Sequence, residues 1–147
     1  VYTMNGAVVH AYSKAKDGAV QLTANFKVRE FACQDGSDTL FVSTELAQVL
    51  QKIRAHFGKP VTINSAYRTE QHNKKVGGSP FSQHKYGTAA DIVVQEVAPK
   101  EVARSAETLL GGKGGIGLYV WGVHVDVRAK RSRWNSTSGR EVAVSGF

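Results

Sequence analysis

The chain has 147 residues, the size of one ordinary domain with a substantial core. Hydrophobic residues make up 41% of the chain and charged residues 21%, which excludes an intrinsically disordered protein, and every apolar run is too short to span a membrane. The single cysteine, Cys33, excludes an internal disulfide framework and a cysteine-rich zinc site. Any metal must therefore be held by histidines and carboxylates.

A net charge of +7 suits polyanionic surroundings, either nucleic acid or an anionic bacterial envelope. Basic residues cluster at Arg128, Lys130, Arg131 and Arg133, beside Trp134. The sequence lacks a Cys/His finger, a basic zipper and an RNP-type aromatic run, so we expect no nucleic-acid partner.

The first half of the chain contains one strongly predicted helix. Residues 1–20 are low in apolar content, which favours an N-terminal arm or a short hairpin before a core spanning residues 25–134. Ser43 is a suitable N-cap for a helix, and apolar residues follow it at helical spacing up to Phe57. Gly58 and Pro60 then end this helix.

The second half alternates predicted strands and helices. Strands are predicted at residues 61–66, 89–94, 116–120, 123–127 and 141–144, and helices at residues 70–75 and from Pro99 to Leu110. Trp121 and Gly122 would form the turn between two of these strands. Core packing is the role expected of Trp121, and a place in the wall of a cleft is the alternative. This mixed order predicts one α+β domain over residues 1–147: a small, mostly antiparallel sheet with helices packed on one side.

Two histidines and two aspartates form a candidate zinc site. His84 and Asp91 are separated by a glycine turn at Gly87, which lets a loop residue and a strand residue converge. Imidazole and carboxylate groups are good zinc ligands, and His124 would supply the third. On a strand, Asp126 would share a face with His124 and could accept a proton from bound water. The commoner role of isolated histidines is structural, and no H-E-x-x-H motif is present.

Arg68 is a candidate for substrate binding. Its planar guanidinium can hold a carboxylate through two parallel hydrogen bonds, which an enzyme acting near a free C-terminus would need. The alternative role is a surface ion pair with Glu70.

Five segments of the chain resemble the zinc D-Ala-D-Ala carboxypeptidase family. In chain order they are SAYRT, HNKKVGGSPFSQHKYGTAADI, GIGLY, VHVDVR and RW. That family includes phage endolysins that cut L-alanyl-D-glutamate bonds, and it shares a fold with the hedgehog signalling domain. The match runs from about Phe26 to Trp134. The family pattern S-x-H-x-x-G-x-A-x-D is matched at each of its fixed positions: Ser82, His84, Gly87, Ala89 and Asp91.

The resemblance implies a hedgehog/D,D-peptidase-like fold, one zinc ion per chain and zinc ligands at His84, Asp91 and His124. It also implies that Arg68 binds substrate or polarises the scissile carbonyl, and we expect Ser82 and Tyr67 to line the cleft. Many members carry a catalytic Glu three residues before the last zinc histidine, where this chain has Trp121. Asp126 is therefore the predicted base. In the alternative arrangement, Asp126 binds zinc and His124 is the base.

The expected function is that of a monomeric zinc peptidase acting on peptidoglycan stem peptides, extracellularly or in the cell wall, phage lytic proteins included. Two scissile bonds fit these residues, that of a D,D-carboxypeptidase and that of an L-Ala-D-Glu endopeptidase. A non-catalytic zinc-containing binding module of the same fold is the alternative.

Overall fold

A computed structural model describes residues 1–4 and 6–147; Asn5, which falls in the predicted N-terminal arm, lies outside them. The helices are α1 (Lys14–Asp17), α2 (Thr44–Phe57), α3 (Glu70–Lys75) and α4 (Pro99–Leu110), and two short 3-10 helices cover Val28–Phe31 and Gln83–Tyr86. Within this described part of the chain, no helix is both long and apolar enough to cross a membrane.

The largest sheet has six strands: β6 (Val61–Ser65), β7 (Ala89–Val94), β8 (Gly115–Leu118), β9 (Val123–Asp126), β10 (Ser132–Asn135) and β11 (Val142–Ala143). Their order is β11-β10-β8-β9-β7-β6, and every neighbouring pair is antiparallel except β10 and β8. The α+β class and the mostly antiparallel sheet are confirmed.

One face of this sheet forms the core with two helices. Ile92, Ile116 and Val125 are fully buried on that face. Helix α4 packs on β7, β8 and β9, and α2 packs on α4 and β7. Helix α2 begins where Ser43 Oγ accepts a hydrogen bond from Leu46 N and ends at Gly58, as predicted. Because side chains alternate along a strand, the opposite sheet face receives the intervening residues of β7, β8 and β9.

The N-terminal residues form a smaller sheet with β5 (Thr39–Ser43). Strands β1 (Tyr2–Met4) and β2 (Ala7–Ser13) pair as antiparallel neighbours, and β2 also pairs with β5. A separate two-stranded sheet joins β3 (Gln21–Thr23) and β4 (Phe26–Lys27). Residue Ser43 N donates a hydrogen bond to Gly87 O, so the smaller sheet is tied to the loop that carries His84.

Strand β10 is one of the elements that sequence patterns do not predict; α1, β3, β4, β5 and the two 3-10 helices are the others. Its sequence, Ser-Arg-Trp-Asn, has no alternation of apolar and polar residues, yet the Arg133 side chain is fully buried. The guanidinium donates to both carboxylate oxygens of Glu107 on α4 and to four backbone carbonyls, those of Gly111, Lys113, Gly114 and Ser132. This ion pair joins β10 to α4 and so completes the sheet.

Glu107 also receives hydrogen bonds from Arg131 Nη2 and from the backbone N–H of Phe147. The hydrogen bonds of Arg133 lower the pKa of Glu107, outweighing the opposite effect of burial. Since the folded-state pKa is depressed, this ion pair stabilises the protein above the ordinary pKa of a glutamate, and the stabilisation is lost as the pH falls below it.

We predict that Arg133→Ala lowers the free energy of unfolding by about 3–5 kcal/mol at pH 7, because it leaves a mostly buried carboxylate and several carbonyls without their donor. Denaturant unfolding of the wild type and the variant measures this difference. The difference should shrink as the pH falls below 4 and Glu107 takes up a proton.

Arg104→Ala is the matched control, since Arg104 forms an exposed ion pair with Glu101 on the same helix. Its loss should cost less than about 1 kcal/mol. An equal cost for the two variants would contradict the structural role assigned to Arg133.

Candidate metal centre and active site

Four neighbouring strands place their side chains in one row on the sheet face away from the core helices. Asp91 on β7 pairs with His124 on β9, His124 pairs with Gly117 on β8, and Gly117 pairs with Trp134 on β10. The row thus brings two predicted metal ligands together although they are far apart in the sequence.

Two glycines on β8 make room for this row. A Cβ atom at Gly117 would strike the indole ring of Trp134, and one at Gly115 would strike the carboxylate of Asp126. The Trp134 ring lies over Gly117 with its centroid 5.1 Å from that of His124. The indole N–H of Trp134 donates to the hydroxyl of Tyr119 at 2.9 Å, which fixes the ring.

His84 reaches the row from the 3-10 helix Gln83–Tyr86. Ser82 begins this helix, since its Oγ accepts a hydrogen bond from His84 N at 3.3 Å. The backbone carbonyl of His84 accepts from Arg68 N at 3.0 Å, which ties the helix to the segment after β6. The imidazole itself is only 3% exposed.

The three predicted ligands converge. His84 Nε2 lies 3.2 Å from Asp91 Oδ1, and His124 Nδ1 lies 2.9 Å from the same oxygen. Their donor atoms all lie within 4.8 Å of one another. One ion with ligand distances of about 2.0–2.2 Å can be shared by donors this close together.

The other nitrogen of each imidazole has a fixed acceptor. His84 Nδ1 donates to Ala66 O at 2.7 Å, and His124 Nε2 donates to Asp126 Oδ2 at 2.8 Å. These acceptors hold one proton of each ring away from the centre, so the nitrogen that faces the centre can offer a lone pair to a metal ion once it carries no proton. Metal-binding histidines are oriented in this way by outer hydrogen bonds, so these residues fit a zinc ion.

The electrostatics of the metal-free site are dominated by its two aspartates. Burial raises the pKa of Asp91, but hydrogen bonds from His124 and His84 outweigh this effect and hold the pKa well below its usual range. Burial lowers the pKa of His124, but its hydrogen bonds to Asp126 and Asp91 raise the pKa to about 9. Burial lowers the pKa of His84. In the metal-free site His124 is therefore protonated at neutral pH, and a metal ion would have to replace the proton between His124 Nδ1 and Asp91.

Asp126 lies behind His124 and has no exposed surface. Its Oδ1 accepts from Gly115 N, Arg128 N and Arg128 Nε, and its Oδ2 faces His124 Nε2 and Arg128 Nη2. His124 presents Nε2 to Asp126 and Nδ1 to Asp91. This arrangement favours a role in positioning His124 over a role in transferring a substrate proton.

Arg68 lies beside Asp91 at the wall of the cleft. Its Nη2 is 3.5 Å from Asp91 Oδ2, its Nη1 donates to Asn73 Oδ1 at 3.2 Å, and its Nε donates to Ser65 Oγ at 3.1 Å. Among the described residues, Arg68 forms no ion pair with Glu70. Lys85 Nζ lies 3.4 Å from Glu70 Oε1 instead.

An open cleft of about 660 Å³ lies over the centre, and Arg68, Ser82, His84, Asp91 and His124 all contribute to its lining. The predicted residue Tyr67 does not line it among the residues described; its ring packs against Phe41, with centroids 5.5 Å apart. Trp121 does line the cleft and is 43% exposed, so the expectation of core packing is wrong.

Sequence patterns missed several lining residues. Phe81, Tyr119, Arg128 and Trp134 also face the cleft, and Phe81 is 80% exposed. Phe81 and Tyr119 lie in loops, and β10, which carries Trp134, has no strand pattern. The sequence did offer one signal for Phe81, because this aromatic residue comes directly before Ser82 of the family pattern.

Comparison with known proteins agrees with this geometry. The sequence profile of the family Peptidase M15 matches residues 23–126. The chain is also similar to a zinc D-Ala-D-Ala carboxypeptidase of Streptomyces albus G, with 46% identity over 44 residues, which is 29% of this chain and 17% of that protein. The aligned segment is thus a small part of the relative, whereas the family profile covers most of this chain, including each of the converging ligands. The chain belongs to the peptidase M15 family.

Proposed function

We propose that this protein is a zinc-dependent peptidase that hydrolyses peptide bonds in the stem peptides of bacterial peptidoglycan. The observation that carries the proposal is the convergence of His84, Asp91 and His124, with the outward nitrogen of each histidine already hydrogen-bonded. Membership of a peptidase family and the similarity to a zinc D-Ala-D-Ala carboxypeptidase support the chemistry. We propose one zinc ion per chain and action by a monomer, extracellularly or in the cell wall.

In this proposal His84, Asp91 and His124 hold the zinc ion. Zinc bound in such a site acidifies a bound water and polarises a carbonyl oxygen. Asp126 keeps the His124 ring in its orientation, and the carbonyl of Ala66 does the same for His84. Trp134 covers one side of the His124 ring and excludes water from it.

Arg68 serves two purposes in this proposal. Its guanidinium holds Asp91 in place, and it presents positive charge to the cleft where a peptide carbonyl would become more negative during attack. Ser82 positions the loop of His84 at the cleft floor.

The proposed activity predicts that the zinc-loaded protein releases free amines from purified peptidoglycan, that a chelator abolishes this release and that zinc restores it. His84→Ala should lose both zinc and activity. His56→Ala is the matched control, because His56 is exposed on α2, and it should retain both.

Mass spectrometry of the digest identifies the bond. Loss of a terminal D-alanine would establish a D,D-carboxypeptidase, and cleavage between L-alanine and D-glutamate an endopeptidase. Binding of zinc and peptide without release of amines would instead establish a non-catalytic binding module. Such a module would lack a general base, because the Asp126 carboxylate is engaged by protein donors and Trp121 stands where many family members carry the catalytic Glu. Absence of zinc uptake would overturn both functions.

For Asp126→Asn we predict a zinc affinity lower by about 10–100-fold, because the amide holds the His124 ring less well than the carboxylate. Competition with a chromogenic chelator measures the affinity. Glu101→Gln, a change of an exposed carboxylate, is the control and should have no effect. Normal zinc affinity with kcat reduced by about 10²–10⁴-fold would instead make Asp126 the general base.

For Arg68→Lys we predict a fall in kcat/KM of about tenfold or more, close to that of Arg68→Ala, because one ammonium group cannot reach the three acceptors that Arg68 holds. Initial rates on the peptide identified above measure this. Arg104→Lys, at an exposed position, should be unchanged. Full activity of Arg68→Lys would show that only a point charge is needed.

A further inference from the structure

The second arginine of the cleft, Arg128, has donors that the protein does not use. Two of its nitrogens face Asp126, with Nε 2.8 Å from Oδ1 and Nη2 2.6 Å from Oδ2. Its third nitrogen, Nη1, makes no hydrogen bond within the described part of the chain, and the side chain is 29% exposed. Arg128 lines the cleft, and it also lines a smaller pocket beside Ser43 and Lys113. The lining of the cleft thus includes an arginine with a nitrogen that no described protein group uses.

Arg128 is also held rigidly. Its guanidinium carbon lies 5.6 Å from the centroid of the Trp134 ring, which is itself fixed by Tyr119 and lies against His124. The Asp126 carboxylate fixes the opposite edge of the guanidinium. A group held in this way loses little conformational freedom when it binds an anion, so it is preorganised for recognition.

Arg68 differs from Arg128 in this respect. All three nitrogens of Arg68 contact protein acceptors, and its side chain is only 15% exposed. Arg68 therefore uses three of its five N–H donors on protein acceptors, whereas Arg128 uses two and keeps both N–H groups of Nη1 for a carboxylate.

We propose that Arg128 binds a carboxylate of the peptide substrate and thereby sets the preference of the site for acidic over neutral peptides. This inference rests on the proposed function. Both reactions considered above place a carboxylate near the scissile bond: the C-terminal carboxylate in a carboxypeptidase substrate and the glutamate carboxylate in an endopeptidase substrate. Glu141, an exposed residue that also lines the cleft, is the like-charged group that opposes such binding.

The test compares the peptide that the wild type cleaves with the same peptide carrying a carboxamide in place of that carboxylate. The wild type should favour the acid by at least about tenfold in kcat/KM, the size of one charge-assisted hydrogen bond. Arg128→Ala should reduce this ratio to near one, and Arg128→Lys should restore part of it. Lys130→Ala removes an exposed positive charge nearby and should leave the ratio unchanged.

Glu141→Gln tests the proposal without disturbing Asp126. It should raise the acid-to-amide ratio by about twofold or more, since it removes a like charge from the cleft. If Arg128 acts only by supporting Asp126, Arg128→Ala will lower zinc affinity and reduce acid and amide cleavage equally. That result, or a wild type without preference for the acid, overturns the inference.

Failure of the proposed function is a separate outcome, in which the wild type cleaves neither peptide. Binding then provides the test: the zinc-loaded protein is titrated with acetyl-D-alanyl-D-alanine and with its amide, and tryptophan fluorescence reports occupancy beside Trp134. Tighter binding of the acid that disappears in Arg128→Ala supports the inference. Equal binding of acid and amide, or no binding of either, overturns it.

Discussion

The antiparallel register of β7 and β9 is the constraint on which the site depends. Pairing of Asp91 with His124 puts a carboxylate oxygen and an imidazole nitrogen 2.9 Å apart. A slip of one residue in either strand would turn its polar side chain, Asp91 or His124, into the apolar core and turn the neighbouring Ile92 or Val125 out of it. Burial of those apolar residues against α2 and α4 therefore also enforces the geometry of the polar face. Hydrophobic packing on one side of the sheet thus fixes the geometry of the candidate metal centre on the other.

The two aspartates of the site have similar chemistry and different positions. Asp91 faces the cleft between both histidines, whereas Asp126 lies beneath His124 with every oxygen occupied. Burying a carboxylate such as Asp126 is costly without partners, and Arg128 with two backbone N–H groups supplies them. The result is a rigid support for His124, one of the predicted ligands. Two arginines thus stabilise the two carboxylates of the centre: Arg68 beside Asp91 and Arg128 beside Asp126.

The basic residues between Arg128 and Arg133 are neighbours in the sequence, but their side chains point to different parts of the structure. Arg128 turns to Asp126 in the cleft, Arg133 is buried against Glu107, and Arg131 pairs with Glu107 from the outside. Lys130 remains exposed. Neighbouring basic residues therefore serve the site and the attachment of α4, and they do not form one continuous basic face.

The sequence alone determined the elements whose signals are local. The capped helix α2, helix α3 after Thr69 and strand β7 follow from hydrophobic spacing and capping residues. The His84–Asp91 pattern points to zinc through its resemblance to the carboxypeptidase family, and its residues lie within one loop and one strand. Only the tertiary structure decided which groups each polar neighbour contacts. The parallel pairing of β10 with β8 brings Trp134 and Arg133 into place, and the Asp126 carboxylate lies against His124 Nε2. Those contacts join residues from different strands, so no local pattern could record them.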